Sequence, residues 1–191
     1  MIMKRLAVFV SGGGTNLQRI AEYFAPNPEV EIACVVSNNK EAYANQRAKN
    51  LGIPLVMLDR QTFNDKAFSE YLKSLHVDMI VLAGFLWLVP KHLIEAFPNR
   101  IINIHPALLP KYGGKGFYGH HVHEAVVAAH EKESGITIHY VNEHYDSGSI
   151  IFQAKVALTD TDTPDDVAAK IHILEQENFP VVIEKLLIDK K

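Results

Sequence analysis

An asparagine and a histidine stand two residues apart near the middle of the chain, in the stretch Ile-Ile-Asn-Ile-His-Pro at residues 101–106. In a β-strand, side chains two positions apart point to the same face, so Asn103 and His105 would lie side by side. An asparagine amide can donate two hydrogen bonds, and a histidine can take up or release a proton near neutral pH. The pair could therefore bind and protonate a ligand, although a buried histidine bonded to the backbone would give the same pattern.

A glycine-rich loop near the start of the chain is a second candidate, with the sequence Ser-Gly-Gly-Gly-Thr-Asn at residues 11–16. Glycine lets the backbone approach a ligand closely, and the N-terminus of a following helix offers free N–H groups and partial positive charge. These features predict a phosphate site, with a tight turn that binds nothing as the alternative. The loop does not match a dinucleotide fingerprint, because Leu17 takes the place of the third glycine and no acidic residue stands at 36–39. It is not a P-loop either, because no Gly-Lys-Ser/Thr follows.

Short apolar runs that alternate with amphipathic segments must position both motifs. We expect strands at 6–10, 32–36, 55–58, 79–83 and 101–104, and helices at 15–24, 42–51, 64–75 and 90–97. Strands that are apolar on both faces and separated by helices indicate a parallel sheet with right-handed crossovers and helices on both faces. Alternating segments at 136–141 and 150–157 indicate an antiparallel extension at one edge, and Thr163-Pro164-Asp165 opens a last helix. The sequence thus predicts an α/β, Rossmann-like, doubly wound and mostly parallel sheet.

Composition limits the class of protein. The 191 residues carry 19 basic and 22 acidic side chains, which gives no electrostatic reason to bind nucleic acid or a membrane surface. Cys34 is the single cysteine, no signal peptide is evident, and no apolar run reaches the roughly 18 residues that a membrane span needs. We therefore expect a cytoplasmic protein that forms one domain over 1–191, acts on small molecules, and is a monomer or homodimer.

Three segments carry a resemblance to a known family. The stretch Asn-Ile-His-Pro-Ala-Leu-Leu-Pro at 103–110 resembles the signature of the 10-formyltetrahydrofolate-dependent formyltransferases. The turn Tyr-Asp-Ser-Gly at 145–148 resembles the aspartate loop of that family. Residues 11–18 resemble the phosphate loop of the members that act on glycinamide ribonucleotide. The resemblance covers essentially the whole chain, and it implies the transfer of a formyl group from 10-formyltetrahydrofolate to the amine of glycinamide ribonucleotide in de novo purine biosynthesis.

The resemblance also implies a catalytic group of three residues, Asn103, His105 and Asp146. An amine that attacks the formyl carbonyl generates an oxyanion, which Asn103 would stabilise by donating a hydrogen bond. His105 would act as the general acid toward the leaving nitrogen of the folate. Asp146 would orient His105 and favour its charged form. No covalent intermediate and no metal are implied.

The two substrates would occupy opposite parts of one site. By resemblance, the acceptor binds to the glycine loop and the last helix, through Gly13, Gly14, Thr15, Asn16 and Glu175. The folate would contact Asn103 and two walls, formed by Leu86, Trp87, Leu88 and Val89 on one side and by Asn142, Glu143, His144 and Tyr145 on the other. The family often has arginine where Trp87 stands. Lys66 matches an arginine that lies near the glutamate tail of the folate.

Some features depart from the family or leave alternatives open. Residues 111–119 form a longer, glycine-rich segment that could close over the substrates or be an inert loop. His120, His121 and His123 suggest a metal site, but the resemblance implies none and favours a polar role for His121 and His123. The peptide bond before Pro110 is cis in relatives, whereas trans is the general expectation. Other hypotheses are a formyltetrahydrofolate deformylase, a methionyl-tRNA formyltransferase, a nicotinamide dehydrogenase and a phosphosugar-binding module without catalysis. Chain length disfavours the first two, and the glycine pattern disfavours the dehydrogenase.

Overall fold

The computed structural model describes residues 3–188, which contain seven strands and seven helices. The strands are β1 Lys4–Val10, β2 Val30–Ser37, β3 Leu55–Met57, β4 Met79–Leu82, β5 Ile101–His105, β6 Glu133–Tyr140 and β7 Ile150–Ala157. The helices are α1 Thr15–Phe24, α2 Tyr43–Asn50, α3 Arg60–Asn64, α4 Lys66–Ser74, α5 Lys91–Ala96, α6 His120–Ala128 and α7 Pro164–Ile188.

The strands form one sheet in the order β3-β2-β1-β4-β5-β6-β7. The first five strands pair in parallel, and β6 and β7 add antiparallel pairs at one edge. The predicted fold class is therefore confirmed, including the antiparallel extension. No helix within 3–188 is both long and apolar enough to cross a membrane.

Alternation along the central strands divides the core between the two faces of the sheet. In β1, Leu6, Val8 and Val10 pack in a cluster with residues of α1 and α7. Ala7 and Phe9 pack in the other cluster, with residues of α3, α4 and α5. Because helices cover both faces, β1 and β4 are apolar on both sides, which is the pattern that predicted a parallel sheet.

One predicted helix begins later than expected, and a short helix precedes it. The sequence favoured a helix at 64–75; α4 begins at Lys66, and α3, which was not predicted, ends at Asn64, with Asp65 extended between the two. Two aspartates provide the physical reason, because each caps a helix. The Asp59 side chain accepts a hydrogen bond from the Thr62 N–H at 2.7 Å, and Asp65 accepts one from the Ala67 N–H at 2.9 Å. The helix α6 was not predicted.

The long helix α7 connects the antiparallel edge to the start of the fold. Its start is capped reciprocally, because the Asp166 N–H donates to the Thr163 hydroxyl while the Thr163 N–H donates to the Asp166 carboxylate. Farther along, the Tyr23 hydroxyl of α1 donates to Glu184 of α7 at 2.6 Å. This packing brings the middle of α7 beside the glycine loop that precedes α1.

Candidate active site

A cavity of about 560 Å³ opens at the carboxyl ends of β1, β4 and β5. This is the edge where ligands of open α/β sheets bind, since helix N-termini and strand-end loops converge there. Three segments predicted from the sequence line it together: the glycine loop, the end of β5 and the turn that holds Asp146. A cavity of this volume can hold a small-molecule substrate or cofactor.

The Asp146 carboxylate lies against both Asn103 and His105. Its Oδ2 is 3.5 Å from His105 Nδ1, and its Oδ1 is 3.4 Å from Asn103 Nδ2. The backbone N–H of Gly114 donates to Oδ2 at 2.9 Å. An amide, an imidazole and a carboxylate thus meet at one point although 43 positions separate Asn103 from Asp146.

His105 is almost fully buried, with 3% of its surface exposed. Its Nε2 lies 2.7 Å from the carbonyl oxygen of Tyr112, which can only accept, so Nε2 carries a proton. Burial lowers the pKa of His105, while the Asp146 carboxylate and the Tyr112 carbonyl act to raise that pKa. Asp146 therefore acts in the predicted direction, but it does not offset the burial of the ring, so the neutral form is favoured.

Asp146 keeps its charge although it is mostly buried. Burial alone would raise the pKa of Asp146, but the contacts with His139, His105 and the Gly114 N–H together hold that pKa below its ordinary value. The residue has φ of 51°, a left-handed conformation that aspartate tolerates better than most residues. The turn therefore presents an ionised carboxylate to the imidazole.

His139 is a member of this cluster that the sequence reasoning missed. Its Nε2 lies 3.2 Å from Asn103 Nδ2 and 3.6 Å from Asp146 Oδ1. Its Nδ1 is 2.8 Å from the Tyr140 carbonyl, so in the neutral ring Nδ1 donates and Nε2 accepts from Asn103. The predicted pairing of the antiparallel edge contained the signal, because the register sets His139 opposite Asn103.

Thr137 supports the turn that follows β5. Its hydroxyl donates to the Ala107 carbonyl at 2.7 Å, and it accepts from the Leu109 N–H at 3.0 Å and from Gln153 Nε2 at 2.9 Å. The residue is completely buried, so its hydroxyl fixes two backbone groups of the turn without competition from water. The peptide bond between Leu109 and Pro110 is cis, which is the alternative that the family resemblance implied.

The glycine loop has the geometry of an anion site. Gly14 has φ of 73°, and a Cβ there would lie 2.6 Å from the Ala44 Cβ, so a larger residue does not fit. No side chain caps the start of α1, which leaves its first N–H groups free. The Arg47 Nε donates to the Gly13 carbonyl at 2.9 Å, and this bond anchors the loop to α2. Free N–H groups at a helix N-terminus favour a bound phosphate.

Glu175 joins the loop to α7 inside the cavity. Asn16 Nδ2 donates to the Glu175 carboxylate at 3.1 Å, and Gln176 Nε2 donates to Asn16 Oδ1 at 3.2 Å. Only 15% of the Glu175 side chain is exposed. Burial raises the pKa of Glu175 to about 7, against the opposing effect of the Asn16 hydrogen bond. This carboxyl can therefore change its protonation state near neutral pH.

The opposite wall of the cavity is mainly apolar. Leu86, Trp87, Leu88 and Val89 line it, as does Tyr145 across the opening. Three other residues predicted to bind folate are not part of the lining. Lys66 is exposed at the start of α4, and Glu143 lies 4.0 Å from Lys91. Asn142 Oδ1 accepts from the His144 N–H and the Ser147 hydroxyl, so it shapes the turn instead.

The glycine-rich segment and the first turn of α6 complete the site. Residues 114–119 line the cavity, and so does His123, whose buried Nδ1 has no hydrogen-bond partner within the described residues. His120 and His121 lie outside the lining and face Glu124, at 3.9 Å and 3.1 Å respectively. Within 3–188, no three His, Cys, Asp or Glu side chains are arranged to hold a metal ion.

Known proteins resemble this chain in sequence and in fold. The model of a family described as formyl transferase matches residues 4–183. The chain belongs to the formyl transferase family. Among curated members, it is 40% identical over 188 residues to phosphoribosylglycinamide formyltransferase of Haemophilus influenzae, covering 95% of this chain and 86% of the relative.

Other members of the formyl transferase family show the same likeness. The chloroplastic phosphoribosylglycinamide formyltransferase of Vigna unguiculata is 41% identical over 96% of this chain. The chain spans 61% of the length of that relative. A crystal structure of the enzyme of the same name from Bacillus halodurans superimposes with a TM-score of 0.87 at 36% identity, covering 98% of this chain and 97% of the other. The likeness in structure thus extends over nearly the full length of both chains.

Proposed function

We propose that the protein transfers the formyl group of 10-formyltetrahydrofolate to the amine of glycinamide ribonucleotide, a step of de novo purine biosynthesis. One observation carries the proposal: the cluster of Asn103, His105 and Asp146 opens onto the same cavity as the uncapped helix start behind Gly14. A site that transfers a group to a phosphorylated amine needs both features. Relatives that this chain covers almost fully carry the name of that enzyme.

The proposed reaction is a direct displacement at the formyl carbon. The acceptor amine forms a C–N bond to that carbon, which gives a tetrahedral intermediate with an oxyanion. The bond from the formyl carbon to the folate nitrogen then breaks. The amine loses one proton and the leaving nitrogen gains one, so no net proton is released. Asn103 donates to the oxyanion, and His105 delivers the proton to the leaving nitrogen.

Substrate binding has to rearrange contacts that occupy these groups. The two N–H groups of the Asn103 amide face His139 at 3.2 Å and Asp146 at 3.4 Å, both at the long end of the hydrogen-bond range. His105 Nε2 faces the Tyr112 carbonyl. We infer that the formyl oxygen replaces one partner of Asn103 and that the leaving nitrogen replaces Tyr112. The ionised Asp146 then stabilises the imidazolium when His105 holds the proton.

The acceptor and the folate would lie at opposite ends of the cavity. The phosphate of the acceptor binds the backbone of 13–16, which places its amine toward Glu175. A carboxyl whose pKa is about 7 can take a proton from the ammonium form of the acceptor and leave a nucleophilic amine. The pterin lies between 86–89 and Tyr145. Contacts of Lys66, Asn142 and Glu143 with the folate stay predictions.

The remaining predictions concern context. We propose that 1–191 act as one formyltransferase domain, with the phosphate bound by 1–100 and the catalytic and folate contacts mainly from 101–191. Residues 86–89 and Glu175 each contribute across that division. We also propose a cytoplasmic monomer or homodimer that binds no nucleic acid and needs no metal. Two plant relatives are named as chloroplastic, so the enzyme of that name is found in an organelle as well.

An assay with matched acceptors tests the proposal. Formyl transfer from 10-formyltetrahydrofolate is measured with glycinamide ribonucleotide, with the same compound lacking its phosphate, and with water alone. We expect turnover with the ribonucleotide and a large loss of kcat/KM without the phosphate, because the glycine loop then binds nothing. Formyl release to water alone would favour a deformylase, and no turnover with any acceptor would favour a binding module.

A further inference from the structure

Arg60 holds an unusual position at the edge of the apolar wall. It is the first residue of α3, and its guanidinium carbon lies 4.0 Å from the centre of the Trp87 ring. At that distance the positive charge is attracted to the negative face of the indole. Trp87 itself lines the cavity, and Arg60 is exposed and lies just outside that lining, so the guanidinium is held beside a wall of the site.

The indole that supports Arg60 is held rigidly. The Trp87 ring lies 5.6 Å from the Phe63 ring and 6.1 Å from the Phe85 ring. Phe63 and Phe85 are both buried, with 1% and 7% of their surfaces exposed. Packing of this kind fixes the orientation of the indole, and the indole in turn positions the guanidinium that packs on it.

The hydrogen-bonding edge of Arg60 is free, in contrast to the other four arginines of the sequence. Arg5 pairs with Glu31, and Arg19, Arg47 and Arg100 each donate to a backbone carbonyl. Within residues 3–188, the guanidinium of Arg60 has no carboxylate within 4.0 Å and makes no hydrogen bond. The indole occupies one side of the guanidinium, and its N–H donors, which have no partner within the described residues, remain available to a ligand.

These observations point to an anionic ligand group beside Trp87. A guanidinium with a free edge binds a carboxylate through two parallel hydrogen bonds. The folate of the proposed reaction carries carboxylates at the end opposite its pterin, on the glutamyl tail. We propose that Arg60, stacked on Trp87, binds a carboxylate of that glutamyl tail; the inference rests on the proposed function.

A pair of ligands separates this contact from binding of the pterin. Tetrahydrofolate and the primary amide of tetrahydropteroate share the pterin and the aminobenzoyl amide, but only tetrahydrofolate carries carboxylates. Trp87 is the only tryptophan of the sequence, so its fluorescence reports binding of either ligand without any reaction. Calorimetric titration provides a second measure of Kd that does not depend on the environment of the indole.

Three variants complete the experiment. Arg60→Gln should raise the Kd of tetrahydrofolate by about ten-fold and leave the Kd of the tetrahydropteroate amide within about two-fold of the unsubstituted protein. Arg60→Lys keeps the charge without the planar fork, so it should give an intermediate loss for tetrahydrofolate only. Lys49→Gln removes the same charge from the exposed end of α2 and should change neither Kd.

The outcomes distinguish this inference from the proposed function. If Arg60→Gln binds tetrahydrofolate as tightly as the unsubstituted protein, or weakens both ligands equally, the assignment of Arg60 is wrong while the folate site stands. If Lys49→Gln weakens tetrahydrofolate as much as Arg60→Gln does, only net charge is at work and the assignment is also wrong. If the unsubstituted protein binds neither ligand, the proposed function fails and the Arg60 inference with it.

Discussion

Replacement of Glu175 by glutamine should make the stability of the protein less dependent on pH. The Glu175 carboxyl is mostly buried, and burial raises its pKa to about 7 from an ordinary value of 4.5. Glutamine has nearly the same shape, and its carbonyl oxygen can still accept the hydrogen bond that Asn16 donates at 3.1 Å. The substitution therefore removes the ionisation while it preserves the contact.

The sign follows from proton binding. Between about pH 4.5 and pH 7, the unfolded chain has lost the proton of Glu175 while the folded protein still holds it, so the folded state is destabilised as the pH rises. A displacement of the pKa from 4.5 to about 7 corresponds to a total loss of about 3 kcal/mol in the free energy of unfolding. Part of this loss has occurred by pH 5, so we expect the free energy of unfolding to fall by roughly 2–3 kcal/mol between about pH 5 and pH 8.

Urea unfolding of the unsubstituted protein and of Glu175→Gln at several pH values measures this fall as a difference. The subtraction removes other titrations, such as those of His105 and His123, whose lowered pKa values make stability rise with pH. Glu177→Gln, at an exposed position of the same helix, is the matched control. A difference between the unsubstituted protein and Glu175→Gln that stays constant from pH 5 to pH 8, as for the control, would refute the reasoning.

Three further predictions address catalysis and folding. His105→Gln and Asp146→Asn should each lower kcat for formyl transfer by about 10²- to 10⁴-fold with unfolding midpoints preserved, and near-normal turnover in both would show that the assigned roles are wrong. Gly14→Ala should lower the unfolding free energy by about 1–3 kcal/mol because of its positive φ and the missing space for a Cβ; Gly12→Ala, where a Cβ meets nothing within 4 Å, should lose clearly less. Thr137→Val should lower the unfolding free energy by about 2 kcal/mol, since two backbone groups lose their partner, whereas Thr137→Ser should recover most of it; equal losses in urea unfolding would contradict this reading.

The fold could be predicted from the sequence because the hydrophobic periodicity of its strands and helices was strong. Alternate side chains of β1 and β4 pack on opposite faces of a sheet that helices cover on both sides. A short strand that is apolar on both faces is typical of this arrangement and of few others. The region of α3 and α4 was less accessible, because the separation at Asp65 depends on two side-chain caps and not on hydrophobic periodicity. The helix α6 follows a glycine-rich segment and begins with two histidines, which gives no amphipathic signal.

Some residues of the candidate site could be predicted from the sequence more directly than others. The residues Asn103 and His105 stand on one strand, so their shared face follows from local geometry alone. Asp146 required the family resemblance, because no local rule brings a turn residue back to a strand 43 positions earlier. His139 was missed although an antiparallel extension at one edge was expected, since both the partner strand of β6 and the register of that pair had to be known.

The two ends of the cavity would bind the proposed ligands by different physical means. At the glycine loop, backbone N–H groups provide the positive potential, so the relevant property is the absence of side chains at Gly13 and Gly14. At the end of β5, buried side chains hold one ionised carboxylate among histidines, and their pKa values depend on residues from β5, β6 and a distant turn. A site made of backbone groups can be recognised from a short contiguous motif, whereas a buried electrostatic site can be recognised only from the tertiary structure. The protonation state of His105 therefore depends on the balance between burial and the Asp146 charge, and a change in either term alters that state without any change at His105 itself.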